Sequence, residues 1–471
     1  MVNIIKHDKL HIKIDTLDAE YIRNVKEHFT EYVENYMHMS KYKSGQWNGK
    51  VCLFNNNKTL PYGLLTDLMA FHKKNYPNKK LNISSDVLAI FKGNPIKLAY
   101  KLKYKPHDYQ MDCIEAAIKY KSGIIVSSTA SGKSLMISYI LQNLMANNII
   151  KKPIIIVPST GLVEQFFDDL IDYGINANTI GRVYSKCKET TYDMPITIST
   201  WQTLQNKKTI LANYDCVIVD EVHGVRGLEL REILKHATNA EYRLGFTGTM
   251  PTYQLEVLNV KSYLGPILRT YTAGWLMEHG YISKCNINTF ELTYKNDYAG
   301  TYNEVKDEVF NNSFRMNIIK NIVQDLDSNV LLLVGKVEKE GKVLKEYLDR
   351  HIQGKEVIFL WGDTSVEDRE FWRKECGNRT DVVIIATYGI FQLGVNIPSL
   401  KYIVLASPFK SKIRVLQSIG RALRKHANKV LGATIFDIID HVKYLETHGD
   451  KRMRYYNSEG FDTTEYNLNE S

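Results

Sequence analysis

The sequence predicts an α/β protein: two tandem doubly wound domains, each a parallel sheet covered by helices, behind a smaller N-terminal α/β domain. Three observations carry this. Short, almost wholly apolar, β-branched runs recur at helix-length intervals from about residue 124, as strands buried on both faces by helices must. The same rhythm restarts near residue 330. At roughly 150 residues per domain, a chain of 471 residues has room for about three domains.

The first 95 or so residues lie outside that rhythm. Trp47-Asn48-Gly49-Lys50 sets an Asn-Gly turn before the strand-like Val51 to Phe54, a hairpin signal. Pro61 and Gly63 then punctuate before a helical stretch from Leu64 to His72. Strands of the first large domain are expected at Ile124 to Val126, Ile154 to Val157, Ile196 to Ser199, Cys216 to Val219 and Arg243 to Phe246. Those of the second fall at Val330 to Val334, Val357 to Leu360, Val382 to Ala386, Tyr402 to Leu405 and Ala433 to Phe436. Gly274, Gly280 and Ser283 interrupt the pattern between them, which sets the expected domains at 1–95, 96–275 and 276–471. The last dozen residues, ending Asn467-Leu468-Asn469-Glu470-Ser471, read as a free tail.

An apolar fraction of 44%, a charged fraction of 24%, 28 Gly and 11 Pro exclude disordered and collagenous classes. No run reaches the roughly 18 apolar residues of a membrane helix, and Met1 to Asp15 alternates Lys, His and Asp with Ile rather than forming an apolar signal core. The expectation is a cytoplasmic protein with no membrane partner. Six scattered cysteines without a CxxC pair suggest neither zinc nor disulfides. The net charge of +9 is uneven: residues 41–105 carry thirteen Lys and no Arg against Asp67 and Asp86 alone. Such a segment suits a polyanion partner, and equally a solvated lysine face.

Ser127-Ser128-Thr129-Ala130-Ser131-Gly132-Lys133-Ser134 follows one expected strand and precedes a helix-like run. A phosphate-binding loop has this architecture. Backbone N–H groups of Thr129, Ser131 and Gly132 would face a polyphosphate, Lys133 would reach its outer phosphates, and the Ser134 hydroxyl would ligate Mg²⁺. Ser127 stands where the general pattern has glycine. Cys216-Val217-Ile218-Val219 ends in Asp220-Glu221, a second Mg²⁺ ligand followed by a candidate general base for an attacking water. Farther on, Gln417-Ser418-Ile419-Gly420-Arg421-Ala422-Leu423-Arg424 places two arginines three apart, on one face of a helix, suited to a γ-phosphate.

In this order the segments resemble the superfamily 2 helicases of the DExH type, over nearly the whole chain. Asp220-Glu221-Val222-His223 is similar to their DExH box. Gln110 resembles the adenine-reading glutamine, and Thr247-Gly248-Thr249 resembles motif III, with His223, Thr247 and Thr249 in coupling roles. Gln417 to Arg424 matches QxxGRxxR, which implies that Gln417 helps bind nucleotide and that Arg421 and Arg424 are catalytic γ-phosphate contacts. The resemblance implies two RecA-like domains, ATP and Mg²⁺ as cofactors, and hydrolysis in a cleft between the domains. It implies nucleic-acid contacts at Thr160, Thr200, Lys336 and Thr387, and at Gly394-Val395-Asn396-Ile397-Pro398.

Within the superfamily, Trp47-Asn48-Gly49-Lys50, Leu60-Pro61-Tyr62-Gly63-Leu64, Thr387-Tyr388-Gly389 and Arg421 to His426 resemble the recombination and branch-migration helicases of T-even phages. That implies a monomeric ATP-dependent DNA helicase on branched, single-stranded or double-stranded DNA, with RNA–DNA hybrids as further partners. Its N-terminal domain would bind nucleic acid, with Lys50 as a contact and Trp47 either a stacking residue or equally a core anchor of the hairpin. An RNA helicase, an ATP-regulated strand-annealing protein and a restriction-system motor are the alternatives, because motifs that track phosphates ignore base identity.

Overall fold

The computed structural model describes all residues except 99–101, 186, 188–190, 226, 390–399, 409–410, 412–414, 416–418 and 421–431. It falls into two compact units, residues 1–127 with 132–270, and residues 128–131 with 271–471.

The first unit begins with β1 (Val2–Lys6) and β2 (His11–Asp15), antiparallel neighbours in which Val2, Ile4, Ile12 and Ile14 are buried at a period of two. After a helix, Ala19–His28, whose first turn is capped by Asp18 accepting from the Tyr21 N–H at 2.9 Å, come β3 (Thr30–Tyr32) and β4 (Lys50–Cys52). Next are β5 (Thr59–Pro61), a helix at Leu65–Asn75 and β6 (Leu81–Ile83). The sheet order is β5-β2-β1-β6, and β3 pairs with β4 alone.

The expected hairpin exists with a different connection. β3 and β4 pair antiparallel across residues 33–49 rather than across a two-residue turn. Asn48-Gly49 is the entry to β4: the Asn48 side chain accepts the Lys50 N–H, and Gly49, at φ +81°, has no room for a Cβ against the Tyr36 ring.

This small sheet shares one continuous hydrophobic core with the sheet that follows. Tyr62 donates its hydroxyl to the Tyr263 carbonyl at 2.8 Å, and Lys261 pairs with Asp67 at 2.5 Å. Gly63 lies so close to the helix at Gln254–Leu264 that a Cβ there would stand 2.0 Å from the Lys261 carbonyl oxygen.

The larger sheet of this unit comprises β7 (Ser122–Ser127), β8 (Pro153–Val157), β9 (Ile180–Val183), β10 (Ile196–Thr200), β11 (Cys216–Asp220), β12 (Tyr242–Thr247) and β13 (Ile267–Tyr271). Their order is β13-β7-β12-β11-β8-β10-β9, and the ladders from β7 to β9 are parallel. The site residues at the ends of β7 and β11 therefore flank β12, whose last residue is Thr247.

The second unit carries β14 (Cys285–Thr293), β15 (Val330–Val334), β16 (Glu356–Leu360), β17 (Val382–Thr387), β18 (Tyr402–Leu405), β19 (Ala433–Asp440) and β20 (Asp462–Asn469). Its order is β16-β17-β15-β18-β19-β14-β20, again parallel throughout. The fold is thus two seven-stranded parallel sheets flanked by helices, plus a small mixed sheet. Residues expected only to interrupt the pattern near 270–290 include a helix, Ala273–Glu278, and the start of β14.

The free tail is overturned. Residues 462–469 form β20, laddered onto β14 from Asn286–Asp462 to Thr293–Asn469, with Tyr466 stacked on Phe290 and the Glu470 side chain accepting from Lys295 and Asn312. A strand whose side chains are mostly exposed shows no apolar alternation, so backbone pairing decides it.

Candidate nucleotide site and strand contacts

β7 ends at Ser127, and the helix Lys133–Ala146 begins after Gly132, which sits in the left-handed region at φ +74°. Ala130, at φ +69°, is left-handed too, backbone strain of the kind that clusters at functional sites. Lys133 is 8% exposed, its Nζ 3.4 Å from the Ser127 carbonyl oxygen and 3.4 Å from Glu221 Oε1. Gln110 is buried on the helix Asp108–Tyr120. Its Oε1 accepts the His107 N–H at 2.8 Å, and its Nε2 lies 2.5 Å from where a Cβ on Gly132 would be. The glutamine and the loop glycine are thus brought together. Tyr109 is buried and packs.

At the end of β11, Asp220 is 7% exposed and Glu221 takes φ +49°, an uncommon conformation for an acidic residue. Burial, then the neighbouring Glu221 charge, push the Asp220 carboxyl up to about 7, against the pull of Lys133. Burial acts the same way on Glu221, but Lys133 and His223 outweigh it and hold Glu221 below the usual carboxylate range. Asp220 Oδ1 and Ser127 Oγ are buried without a hydrogen-bond partner. Buried oxygens of that kind call for a ligand. With Lys133 at a helix N-terminus, they fit a triphosphate carrying a divalent cation.

Ser134, expected to ligate that cation, has its Oγ 2.8 Å from the hydroxyl of Tyr173. Burial pushes the Tyr173 hydroxyl up to about 12, so it keeps its proton at neutral pH. Sequence reasoning missed Tyr173: it lies 39 residues along the chain, outside any motif.

The acidic box connects to motif III. His223 Nδ1 is 2.6 Å from Thr247 Oγ1 and 3.3 Å from Glu221 Oε2. Thr247 donates its hydroxyl to the Thr249 carbonyl at 2.8 Å and accepts the Thr249 N–H at 3.3 Å. Because the Thr247 proton is committed, the His223 Nδ1 carries the hydrogen of their shared bond. Burial holds the His223 pKa below its ordinary value, and Glu221 only partly opposes this, so the ring is neutral at pH 7.

The expected strand contacts form two pairs of neighbouring loops. β8 and β10 are adjacent, with Val157 opposite Thr200. Beyond them Thr160 is exposed in the first turn of a helix capped by Ser159. Thr200 is buried, its hydroxyl 2.9 Å from Thr203 Oγ1. β15 and β17 are adjacent, with Val334 opposite Thr387. The turn at Lys336 therefore neighbours Thr387, although Lys336 pairs with Asp307 at 2.8 Å. Trp47 donates its Nε1–H to the Lys50 carbonyl at 2.8 Å, and the Lys50 ammonium lies 4.6 Å from the center of the Tyr32 ring. Gln417, Arg421, Arg424 and the segment 394–398 lie outside the described residues.

Comparison with known proteins adds three family matches in chain order: "DNA helicase UvsW, N-terminal" over residues 1–83, "Type III restriction enzyme, res subunit" over 103–252, and "Helicase conserved C-terminal domain" over 315–426. The chain is 27% identical to the ATP-dependent DNA helicase uvsW of Enterobacteria phage T4, over 97% of both chains. It is 22% identical to the DNA 3'-5' translocase XPB2 of Sulfurisphaera tokodaii, over 76% of this chain and 87% of that one. Its fold matches the crystal structure of T4 UvsW with a TM-score of 0.53, at 24% identity and 99% coverage of both chains. It also matches a type I restriction HsdR fragment from Vibrio vulnificus at 0.60, with 15% identity, over 90% of this chain and 77% of that one. Among the described residues, no helix is long and apolar enough to cross a membrane. With a UvsW-type N-terminal region, a restriction-enzyme-type motor region and a helicase C-terminal region in that order, the chain is similar over its whole length to ATP-dependent DNA helicases.

Proposed function

We propose that this chain is an ATP-dependent DNA helicase and translocase that remodels branched DNA, moving Holliday junctions and processing D-loops and stalled forks in recombination and repair. The observation that supports it most is the Lys133–Glu221 pair beside an unpartnered buried Asp220 oxygen, in a chain similar end to end to a phage DNA helicase. Ser134 and Asp220 would hold Mg²⁺, which supplies charge neutralisation at the transferring phosphate. Thr129, Ser131 and Gly132 cradle the phosphates by their N–H groups, Gln110 and Gln417 border the base, and Lys133 binds the outer phosphate oxygens. Glu221, kept ionised by Lys133, accepts a proton from the attacking water. Arg421 and Arg424 stabilise the charge that develops on the γ-phosphate. His223, Thr247 and Thr249 pass the change at Glu221 to β12.

Residues 96–275 and 276–471 are assigned as the two motor domains of a monomer, gripping a strand through Thr160, Thr200, Lys336 and Thr387. Residues 1–95 are the substrate-binding domain, with Trp47 and Lys50 in contact with nucleic acid. RNA–DNA hybrids belong to the same substrate class, because phosphate contacts dominate.

The test is steady-state ATPase activity without nucleic acid, then with single-stranded DNA, duplex, a four-way junction and single-stranded RNA at one salt concentration. Strongest stimulation by the junction is expected. Stimulation by RNA alone gives the RNA helicase instead, and no stimulation by any of them ends the motor reading. In parallel, Lys133→Ala abolishes hydrolysis and unwinding while retaining DNA binding. Branch migration that survives this substitution overturns the mechanism.

A further inference from the structure

At the end of β15 the chain enters a six-residue π-helical turn, Val337–Lys342, a distortion that recurs at functional sites. Its backbone is clamped from below. Glu340, fully buried, accepts the N–H groups of Gly335 at 2.6 Å and Lys336 at 3.1 Å, and its other oxygen lies 2.6 Å from the Lys306 ammonium. Above that anchor, two ammonium groups converge on one carboxylate. Asp307 Oδ1 is 2.8 Å from Lys336 Nζ, and Oδ2 is 2.5 Å from Lys339 Nζ. Lys339 is 64% exposed, Lys336 35% and Asp307 17%, so the cluster opens to solvent.

Two lysines on a fixed turn, bridged by the two oxygens of one anion, reproduce the arrangement in which they would hold the two free oxygens of a phosphodiester. The neighboring turn, after Thr387, leaves the same end of the sheet, where parallel sheets bind their ligands. Slight burial pushes the Asp307 carboxyl up and the two lysines more than offset it, so the carboxylate remains charged throughout the physiological range. The N–H groups of Gly335 and Lys336 are held by Glu340 and not by Asp307, whose contacts with the turn are to the two ammonium groups.

We propose that Asp307 is a built-in competitor at the strand contact already assigned to Lys336: it holds Lys336 and the adjoining Lys339, which joins that contact, until one backbone phosphate of a nucleic-acid strand displaces it. The proposal rests on the reading of the chain as a nucleic-acid motor. Exposed ion pairs are weak, and a strand gains counterion release on binding, so displacement is within reach of a correctly seated strand. A strand that meets these lysines alone faces the competitor without support. Asp307 thereby raises the threshold for unproductive binding.

The experiment is anisotropy binding of a fluorescein-labelled single-stranded DNA oligonucleotide across a salt series, with thermal melting as the folding control. Asp307→Asn keeps the shape and removes the charge. It is expected to bind several-fold more tightly at low salt and to show a steeper salt dependence. Lys336→Gln with Lys339→Gln should weaken binding and flatten the slope by about 0.7, the share of one phosphate contact on a single strand. Unchanged or weaker binding by Asp307→Asn, while the lysine variant is impaired, overturns the competitor and leaves Asp307 as a support. A lysine variant that binds like the parent chain overturns the phosphate site. A parent chain that binds no nucleic acid defeats the motor reading itself, an outcome distinct from both.

Discussion

At the scale of single residues, the coupling of hydrolysis to movement proposed above would run through the hydroxyl of Thr247. It accepts from the His223 ring and closes the turn to Thr249, while His223 touches Glu221 on its other side. Thr247→Val keeps the volume and deletes these bonds. We expect ATP hydrolysis to fall only a few-fold and unwinding to fall much further, with a stability cost of about 1–3 kcal/mol for the buried groups left unmatched. Parallel ATPase and strand-displacement assays on one preparation check it, and proportional losses in the two would refute a coupling role. The cysteines offer a second test. Burial pushes the thiols of Cys113 and Cys376 up to about 12 and 11, and that of Cys216 well above its ordinary value, whereas Cys52 is exposed on β4. A maleimide at neutral pH should therefore label Cys52 in the native chain, and these three buried thiols only after denaturation, as peptide mass mapping would show.

At the scale of elements, the segment Leu60-Pro61-Tyr62-Gly63-Leu64 fastens the small sheet to the helix Gln254–Leu264. Gly63→Ala would drive a Cβ into backbone atoms that cannot move aside, at a cost of about 3 kcal/mol or more. Tyr62→Phe deletes the hydroxyl's two buried hydrogen bonds, to the Tyr263 carbonyl and Ser122 Oγ, and should cost about 1–2 kcal/mol. Urea midpoints of the two variants should fall in that order, and an unshifted Gly63→Ala would show that the contact is dispensable. These elements also show what a sequence exposes. Strands such as β11, wholly buried, stand out as apolar runs, and all ten anticipated strands are present to within a few residues. Of the four unanticipated strands in the two large sheets, β9, β13 and β20 lie at sheet edges, and β14 lies beside β20 with alternating burial. Edge strands are held by the ladder of one neighbour and leave a weak apolar signal. The candidate nucleotide site can be proposed from the sequence because the chemistry of such a site demands certain residue types in a fixed order, and the fold brings Lys133, Asp220, Glu221 and His223 together. Tyr173 and Asp307 cannot, because each meets its partner, Ser134 or Lys336, through folding across 39 and 29 residues.

At the scale of the whole molecule, charge and position decide what the lysine-rich segment does. Lys41, Lys43 and Lys50 are exposed on the small N-terminal domain, and Lys50 lies over the Tyr32 ring, which stacks on Tyr36. Residues 41–105 hold thirteen lysines and only Asp67 and Asp86, and Asp67 is paired with Lys261. Asp18 and Asp172 from outside the segment pair with Lys79 and Lys103, which leaves the positive field centred on lysines such as Lys41, Lys43 and Lys50. If these lysines merely keep the chain dissolved, replacing three of them with glutamine changes net charge and little else. If they hold a nucleic-acid arm, each lysine engaged with a phosphate releases a counterion, worth about 0.9 in the slope of log K against log salt for duplex DNA. We expect the triple variant to lose up to about 2.7 units of that slope with a four-way junction, 0.9 for each lysine engaged, and to bind it more weakly at low salt, while its ATPase retains stimulation by short single strands. A slope equal to that of the parent chain would return the segment to a solvated face. A loss on single strands as large as on junctions would make it part of the track that both motor domains share, rather than a separate reader of branched substrates.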